Sequence, residues 1–121
     1  MQDFQIIFYK TSDGKSPVEE FLDGLDTKMR AKILMSVRFV KQYGYNSREP
    51  YSKFLDDGIF ELRAITGSDI SRVLYFFAVG QKIVLTNGFI KKTQKTPKGE
   101  IERAKRYRAD YLEREADGNE R

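Results

Sequence analysis

The chain opens on a strand-like pattern that gives way to a helical one. Residues 4–9, FQIIFY, form an aromatic and β-branched run ahead of the polar turn KTSDGK, which predicts a first strand. Ser16 then suits an N-cap, with Pro17 at the first helical position and Glu19 as the carboxylate of a capping box. We therefore predict a short helix that ends over residues 24–26.

A longer helix is predicted from Thr27 to about Tyr43, where Gly44 stops it. Its apolar residues recur every three or four positions and form one stripe, made of Met29, Ile33, Val37 and Val40. Its other face is basic and carries Lys28, Lys32, Arg38 and Lys41. The two faces together indicate an amphipathic helix that packs on the rest of the domain.

The second half of the chain reads as a meander of three strands followed by a helix. After the linker YNSREPYS, strands are predicted at residues 58–65, 71–79 and 82–88, with turns at residues 66–69 and 80–81. The middle strand, VLYFFAV, is apolar on both faces and should lie at the centre of the sheet, covered on each side. The last helix begins near Pro97 or Lys98, carries Ile101, Ala104, Tyr111 and Leu112 on one side, and gives way to a frayed tail from about residue 115.

These elements predict one α+β domain that spans residues 1–121. A small antiparallel sheet, with the order β-α-α-β-β-β-α along the chain, packs against the helical pair. A domain of this length buries enough surface to fold without disulfides or metals. No segment resembles a signal peptide or a membrane span, so we expect a cytoplasmic protein that does not contact a membrane.

Cysteine and histidine are both absent, and each of these two absences excludes a class of chemistry. Without cysteine, the chain has no disulfide, thiolate nucleophile or Cys-based zinc site. Without histidine, it lacks the usual general base near neutral pH and the commonest metal ligand. Any catalysis must then rest on Lys, Arg, Tyr, Asp or Glu, and we expect neither a metal nor another cofactor.

The net charge of +4 is modest, but it is distributed unevenly. Residues 1–27 are mainly acidic, whereas residues 28–53 are mainly basic. The stretch GFIKKTQKTPKGEIERA, residues 88–104, follows an apolar run and places four lysines together before its first acid. Such a surface suits a polyanion, although a solvated loop ahead of a helix shows the same pattern.

The first hairpin of the meander brings two arginines together. If Ile65 pairs with Ile70 across the loop, Arg63 lies directly opposite Arg72, and both share a face with Glu61. Like charges opposite each other destabilise a sheet by about 0.2–1 kcal/mol, and an anion between them would remove that cost. The alternative is that Glu61 neutralises one arginine while solvent screens the other.

The second hairpin adds an aromatic ring and lysines to the same face. If Val79 pairs with Lys82, Phe89 lies opposite Arg72, and the strand then ends in the lysine-rich segment. Arginine binds phosphate through two parallel hydrogen bonds, lysine supplies a mobile charge, and aromatic rings stack on unpaired bases. This edge of the sheet therefore fits single-stranded RNA.

Four segments of the chain resemble one protein family. SPVEEFLDGL, DGIFELRAI, RVLYFF and above all GFIKKTQKTPKGEIERA are similar to the HigB-type branch of the RelE/ParE toxin superfamily, including its phage-derived relatives. The resemblance runs from Phe4 to about Tyr111. It implies a RelE-like fold and the toxin of a type II toxin–antitoxin system, which enters the A site of a translating ribosome and cleaves the mRNA. A HigA-like helix-turn-helix antitoxin is the implied partner, and operator DNA is bound only through the toxin–antitoxin complex.

The resemblance also assigns residues to roles. It implies that Arg63, Arg72, Lys91, Lys92 and Lys95 are the catalytic residues. The charge and register of the residues, rather than the resemblance, add Phe89, Lys53, Lys98, Lys32 and Arg38 as the residues expected to bind RNA. The implied reaction is metal-independent attack of a ribose 2′-hydroxyl on the adjacent phosphate, in which the arginines stabilise the charge that develops on phosphorus. Weaker acid or base candidates are Tyr9, Tyr75 and Glu61, and Tyr75 falls on the core face of its strand.

Two other functions fit the same residues. A toxin of the ParE kind binds gyrase and cuts no RNA, and a non-catalytic RNA-binding module needs only the basic surface. The basic face of the long helix suits ribosomal RNA, an acidic segment of the antitoxin or plain solvation, and the sequence leaves these three alternatives open.

Overall fold

The computed structural model describes residues 3–91 and 96–118, with only the main chain of Lys91. Within these ranges the chain forms five strands and three α-helices, which confirms the α+β class. The strands are β1 (Gln5–Phe8), β2 (Ser52–Asp56), β3 (Ile59–Thr66), β4 (Asp69–Ala78) and β5 (Lys82–Lys91). The helices are α1 (Pro17–Asp23), α2 (Thr27–Tyr43) and α3 (Lys98–Ala116), and a single 3₁₀ turn, Gly44–Asn46, follows α2.

Side-chain caps start both helices of the predicted pair. Ser16 Oγ accepts a hydrogen bond from the main-chain nitrogen of Glu19 at 3.1 Å, and Asp26 Oδ1 accepts one from Met29 at 2.8 Å. Each cap satisfies an amide that has no partner within its helix, and such a cap contributes about 1 kcal/mol. The boundaries of α1 and α2 therefore follow from local sequence.

The sheet has the order β1-β5-β4-β3-β2 and is mixed. Neighbouring strands from β2 to β5 pair antiparallel, whereas β1 runs parallel to β5, from the pair Gln5 and Lys82 to the pair Phe8 and Leu85. The prediction of an antiparallel sheet is wrong at this edge. No hairpin links β1 to β5, so local sequence does not set the direction in which they pair.

Strand β2 lies where the sequence pattern indicates the end of a linker and a gap before the meander. It is a short edge strand whose Lys53 and Phe54 are both exposed, so it lacks the alternation typical of a half-buried strand. The chain turns from β2 into β3 at Asp57 and Gly58, which have φ angles of 50° and 78°. An Asp-Gly pair with positive φ is typical of a two-residue hairpin, and it is the signal for β2 that the prediction leaves out.

Helices cover both faces of the sheet, and β4 lies at its centre, as predicted. On one face, α1 and α2 pack their apolar stripes against Leu62, Val73 and Leu85. On the other face, α3 packs Ala104 into a cluster with Ile59, Leu74, Phe76 and Val84. The polar residues of β3 and β4 that matter below lie on this second face, beside α3.

Helix α3 differs from its prediction towards its C-terminal end. The pattern places Leu112 on the same side of the helix as Ala104, but Leu112 is 46% exposed whereas Ala104 is fully buried. The helix continues to Ala116, past residue 115, where the frayed tail was predicted to begin, and residues 119–121 lie outside the described ranges. Arg114 pairs with Asp110 one turn earlier and donates to the Lys10 carbonyl, which ties this end of α3 to the chain after β1.

Candidate functional site

The two arginines and the phenylalanine lie in neighbouring positions on three strands. Arg63 of β3 is the Cα partner of Arg72 of β4, and Arg72 is the partner of Phe89 of β5. Alternation along each strand turns all three towards the α3 face. This part of the predicted register is confirmed.

The pairing of Arg72 with Phe89 results from a β-bulge rather than from the predicted turn. Lys82 pairs with Ala78, whereas the sequence pattern predicts Val79 as its partner. The register then shifts by one residue in the middle of β4, where a bulge inserts an extra residue into β5, and this shift restores the predicted partner of Arg72. The predicted pair at the turn is therefore wrong, although the predicted pair at Arg72 is right.

Glu61, Arg63, Arg72 and Thr96 form a polar cluster, which we call the Glu61 cluster. Glu61 Oε2 lies 3.4 Å from Arg63 Nε, and Glu61 Oε1 lies 3.9 Å from Arg72 Nη1. The Thr96 hydroxyl donates to Glu61 Oε1 at 2.6 Å and accepts from Arg72 Nη1 at 3.0 Å. One carboxylate therefore lies close to both guanidiniums and offsets their mutual repulsion inside the protein.

Burial decides which arginine of the cluster can meet a ligand. Arg72 is fully buried and Glu61 is 1% exposed, so Arg72 does not present its guanidinium to a phosphate in solution. This corrects the prediction that both arginines bind phosphate, and the alternative in which solvent screens one of them. Burial lowers the pKa of Arg72, although the nearby carboxylate of Glu61 opposes this shift. The guanidinium keeps its charge, because arginine is not deprotonated in proteins. Arg63, whose side chain is 13% exposed, forms the solvent side of the cluster.

Lys53 and Phe89 flank the Glu61 cluster on the same face of the sheet. Lys53 of β2 is the Cα partner of Glu61 and is exposed, so its charge lies at the edge of the sheet beside the cluster. Phe89 is half-buried and packs against the apolar cluster under α3. Part of the Phe89 ring is therefore buried in the core, and only the rest of the ring is exposed for stacking on a base.

The lysine-rich segment is described only in part. Lys92 and Lys95, together with the side chain of Lys91, lie outside the described residues, so their catalytic role stays a prediction. The main chain of Lys91 ends β5, and Lys98 begins α3 with its side chain exposed. Thr96 follows Lys95 directly and is 8% exposed. Sequence reasoning missed Thr96, because a threonine just before a proline and a helix signals only a boundary.

Lys32 and Arg38 do not lie with the other predicted RNA-binding residues. Both are exposed residues of α2, which covers the face of the sheet opposite to α3. Lys32 Nζ donates to the Ile65 carbonyl at 2.8 Å, and Ser36 Oγ donates to the Arg63 carbonyl at 2.8 Å. The structure therefore separates these two cations from Arg72 and Phe89 by the thickness of the sheet.

Tyr9 and Tyr75 are held as neutral phenols. Burial raises the pKa of Tyr75 to about 12, although its 2.5 Å hydrogen bond with Ser52 opposes the shift. Burial, helped by Asp110, which accepts from Tyr9 at 2.6 Å, also raises the pKa of Tyr9 to about 12. Neither side chain is a phenolate at neutral pH, so neither is poised to act as a general base.

We expect the free energy of unfolding to fall as the pH rises from about 10 to about 12. Unfolded Tyr75 loses its proton near its ordinary pKa of 10.0, whereas folded Tyr75 keeps it to about 12, so the unfolded state binds fewer protons in this window. The contribution of Tyr75, about 2–3 kcal/mol by linkage, is fully present below pH 10 and is lost progressively as the pH rises from about 10 to about 12. Urea unfolding at stepwise pH, on the wild type and on Tyr75→Phe, measures it, and equal pH slopes for the two proteins would contradict the assignment.

The residues that the structure describes bring together no group of His, Cys, Asp and Glu side chains that could hold a metal ion. Over the same residues, none of the helices combines the length and the hydropathy that a membrane span needs. Among the described residues, Glu61 and Arg72 of the Glu61 cluster are charged side chains that the fold buries.

The chain matches a known protein family. Residues 20–109 match the family described as phage derived protein Gp49-like (DUF891). The matched range includes α2, the whole β2–β5 meander and the Glu61 cluster. No curated protein matches the chain.

Proposed function

The chain belongs to the phage-derived Gp49-like family, which is related to the toxins of toxin–antitoxin systems, and from this premise we propose that it is a HigB-type toxin that cleaves mRNA on the ribosome. Membership of this family supports the assignment as a toxin that has an antitoxin partner. The proposed endonuclease activity rests on the residues of the site.

The Glu61 cluster is the observation that carries the proposal. It sets two arginines in register on neighbouring strands and places one buried carboxylate close to both. An arginine that is held in place before the substrate arrives stabilises developing negative charge with little reorganisation. We propose that Arg63, on the solvent side, touches the scissile phosphate, and that Arg72 beneath it supplies positive potential and holds Glu61.

The proposed reaction is an internal transfer at one phosphodiester bond of the mRNA. The ribose 2′-oxygen gives up its proton and attacks the adjacent phosphorus. The bond between phosphorus and the 2′-oxygen forms, the bond to the 5′-oxygen breaks, and the leaving 5′-oxygen takes up a proton. The products are a 2′,3′-cyclic phosphate and a 5′-hydroxyl, so no water is consumed and one proton enters for each that leaves.

The proton transfers fall to groups other than histidine, which the chain lacks. We keep Lys91, Lys92 and Lys95 as the proposed proton carriers and contacts to the RNA backbone. A lysine acts as a base only when burial or neighbouring cations lower its pKa, and the crowding of lysines between residues 91 and 98 favours such a shift. Lys53 and Lys98, both exposed, are proposed to contact phosphates beside the cleavage site.

The proposed partners follow from the same toxin assignment. The toxin meets mRNA in the ribosomal A site in the cytoplasm, and a HigA-like helix-turn-helix antitoxin neutralises it. Operator DNA is bound by the antitoxin within the complex.

Induction of the chain in a bacterium, followed by mapping of mRNA 5′ ends, tests the proposal. We expect growth to stop and new 5′ ends to appear inside translated messages, and these ends should vanish when translation initiation is blocked. Growth arrest with uncut transcripts and with DNA damage would point instead to a gyrase-binding toxin of the ParE kind. RNA binding without cleavage or arrest would point to a non-catalytic RNA-binding module.

A further inference from the structure

Helix α2 presents an apolar patch on its outer side. Leu34 and Met35 are 40% and 52% exposed, Ala31 precedes them by one turn, and Ile65 of β3, which is 53% exposed, lies across a cavity from Met35. We call these four residues the α2 patch. Apolar side chains that are contiguous on a surface mark interaction sites, whereas single exposed ones are ordinary.

The cavity beside the α2 patch has a volume of about 260 Å³ and mainly apolar walls, which include Pro50, Tyr51 and Ala64. Lys32 and Ser36 donate hydrogen bonds to two carbonyls on the edge of β3 that borders the cavity. A partner strand would find these carbonyls occupied. A partner helix, in contrast, can insert an apolar side chain without breaking either bond.

The rim of the α2 patch is basic. Lys28, Lys32 and Arg38 are exposed around it, and no Asp or Glu occurs between Thr27 and Tyr43. Electrostatic complementarity therefore favours an acidic partner. An RNA strand would meet the same cations, but it would place phosphates over the apolar centre of the patch, on the face opposite to Arg72.

We propose that the α2 patch binds an acidic amphipathic helix of the antitoxin, one apolar side chain of which fills the cavity between Met35 and Ile65. The identity of this partner rests on the proposed function, whereas the surface rests on the exposure and charge of α2. Methionine is flexible and polarizable, so an exposed Met35 suits a contact that adapts to its partner. Arg63 also lines the cavity, and its carbonyl accepts from Ser36 on this face, so a helix bound here lies against the strand that carries the proposed RNA contact.

The experiment measures the affinity of the purified antitoxin, taken as the protein encoded in the same operon, for the wild type and for two variants. Met35→Glu places a carboxylate in the patch. Val79→Glu places the same charge on a side chain that is 95% exposed, just after β4. We expect Met35→Glu to weaken binding by about 30-fold or more, and Val79→Glu to leave it unchanged. Met35→Glu should still cleave RNA at the wild-type rate, which also shows that it folds.

The contribution of the basic rim to antitoxin binding can be measured separately through its dependence on salt. Lys28→Gln and Arg38→Gln should lower the association rate of the antitoxin at low ionic strength, and the difference should shrink as salt is added. Met35→Glu should instead weaken binding at every salt concentration, because the apolar contact is not screened.

Three outcomes would overturn the inference. Equal antitoxin affinities of Met35→Glu and Val79→Glu would exclude the α2 patch as the contact. Loss of RNA cleavage by Met35→Glu with antitoxin binding intact would assign the patch to RNA, and self-association of the wild type that Met35→Glu abolishes would assign it to a second copy of the chain. A wild type that cleaves no RNA but binds the operon partner through Met35 would instead remove the proposed function and keep this inference.

Discussion

Replacement of Arg72 by methionine is expected to lower the free energy of unfolding by about 3–5 kcal/mol. Methionine fills much of the space of the arginine stem, so the main loss is the positive charge beside Glu61. Glu61 is 1% exposed. Of its partners in the Glu61 cluster, it would keep Arg63, whose Nε lies 3.4 Å from Glu61 Oε2, and the Thr96 hydroxyl. A buried carboxylate with part of its compensation removed is costly. Chemical denaturation of the wild type and the variant measures the difference.

A double variant separates the lost charge from the lost packing. Glu61→Gln in the Arg72→Met background removes the buried negative charge, so we expect it to recover roughly half or more of the lost stability. Arg106→Gln removes the same charge from an exposed position of α3 and should change stability by less than about 0.5 kcal/mol. If Arg72→Met is as stable as Arg106→Gln, the Glu61 cluster does not support the fold as described.

The burial of Arg72 changes how its variants are interpreted. An Arg72 variant that loses toxicity has lost either a contact to RNA or the structure that holds Glu61 and Arg63 in place. Activity of such a variant is therefore informative only beside its measured stability.

Replacement of Arg63 by glutamine is expected to lower the rate of RNA cleavage by about 10²–10³-fold, the range found when one preorganised donor to a developing negative charge is removed. Arg63 is the member of the Glu61 cluster that combines a partly exposed side chain with a contact to the buried carboxylate. The cost in stability should be smaller than for Arg72→Met, because Glu61 keeps Arg72 and Thr96. Single-turnover cleavage of a defined mRNA on ribosomes measures the rate.

Two control variants sharpen the test of Arg63. Arg63→Lys keeps the positive charge but loses the two-pronged geometry of the guanidinium, so its rate should lie between those of Arg63→Gln and the wild type. Arg106→Gln should cleave at the wild-type rate. Cleavage by Arg63→Gln at that same rate would exclude Arg63 from the reaction.

The helical half of the fold could be predicted from the sequence because its signals are local. The start of α1 is marked by Ser16, Pro17 and Glu19. Helix α2 is marked by the apolar stripe from Met29 to Val40 and by Gly44, which ends it. The predicted bounds of both helices therefore agree closely with the structure. The strand β2 was missed, because Lys53 and Phe54 are both exposed and an edge strand needs no alternation. The direction of β1 was also wrong, because its partner β5 lies more than seventy residues away along the chain.

The site shows the same division between local and tertiary information. Hairpin connections are local, and they predict that Arg63 faces Arg72. The bulge in β4 and β5 is a property of the paired strands, and it restores the predicted partner of Arg72 after the turn has shifted it. Thr96 lies in the Glu61 cluster because α3, which follows it, packs over the sheet. No local sequence pattern predicts this packing.

The sequence by itself determined the α+β class, the boundaries of α1 and α2, the central position of β4, and the basic and acidic residues available for chemistry. Only the tertiary structure decided that Arg72 is buried, that Arg63 faces solvent, and that Lys32 and Arg38 belong to a different face. The physical reason is that propensity, capping and periodicity act between residues a few positions apart, whereas the burial of a charge depends on what packs over it. Arg72 is fully buried and donates to Thr96, which lies 24 residues further along the chain, and no local pattern specifies such a contact.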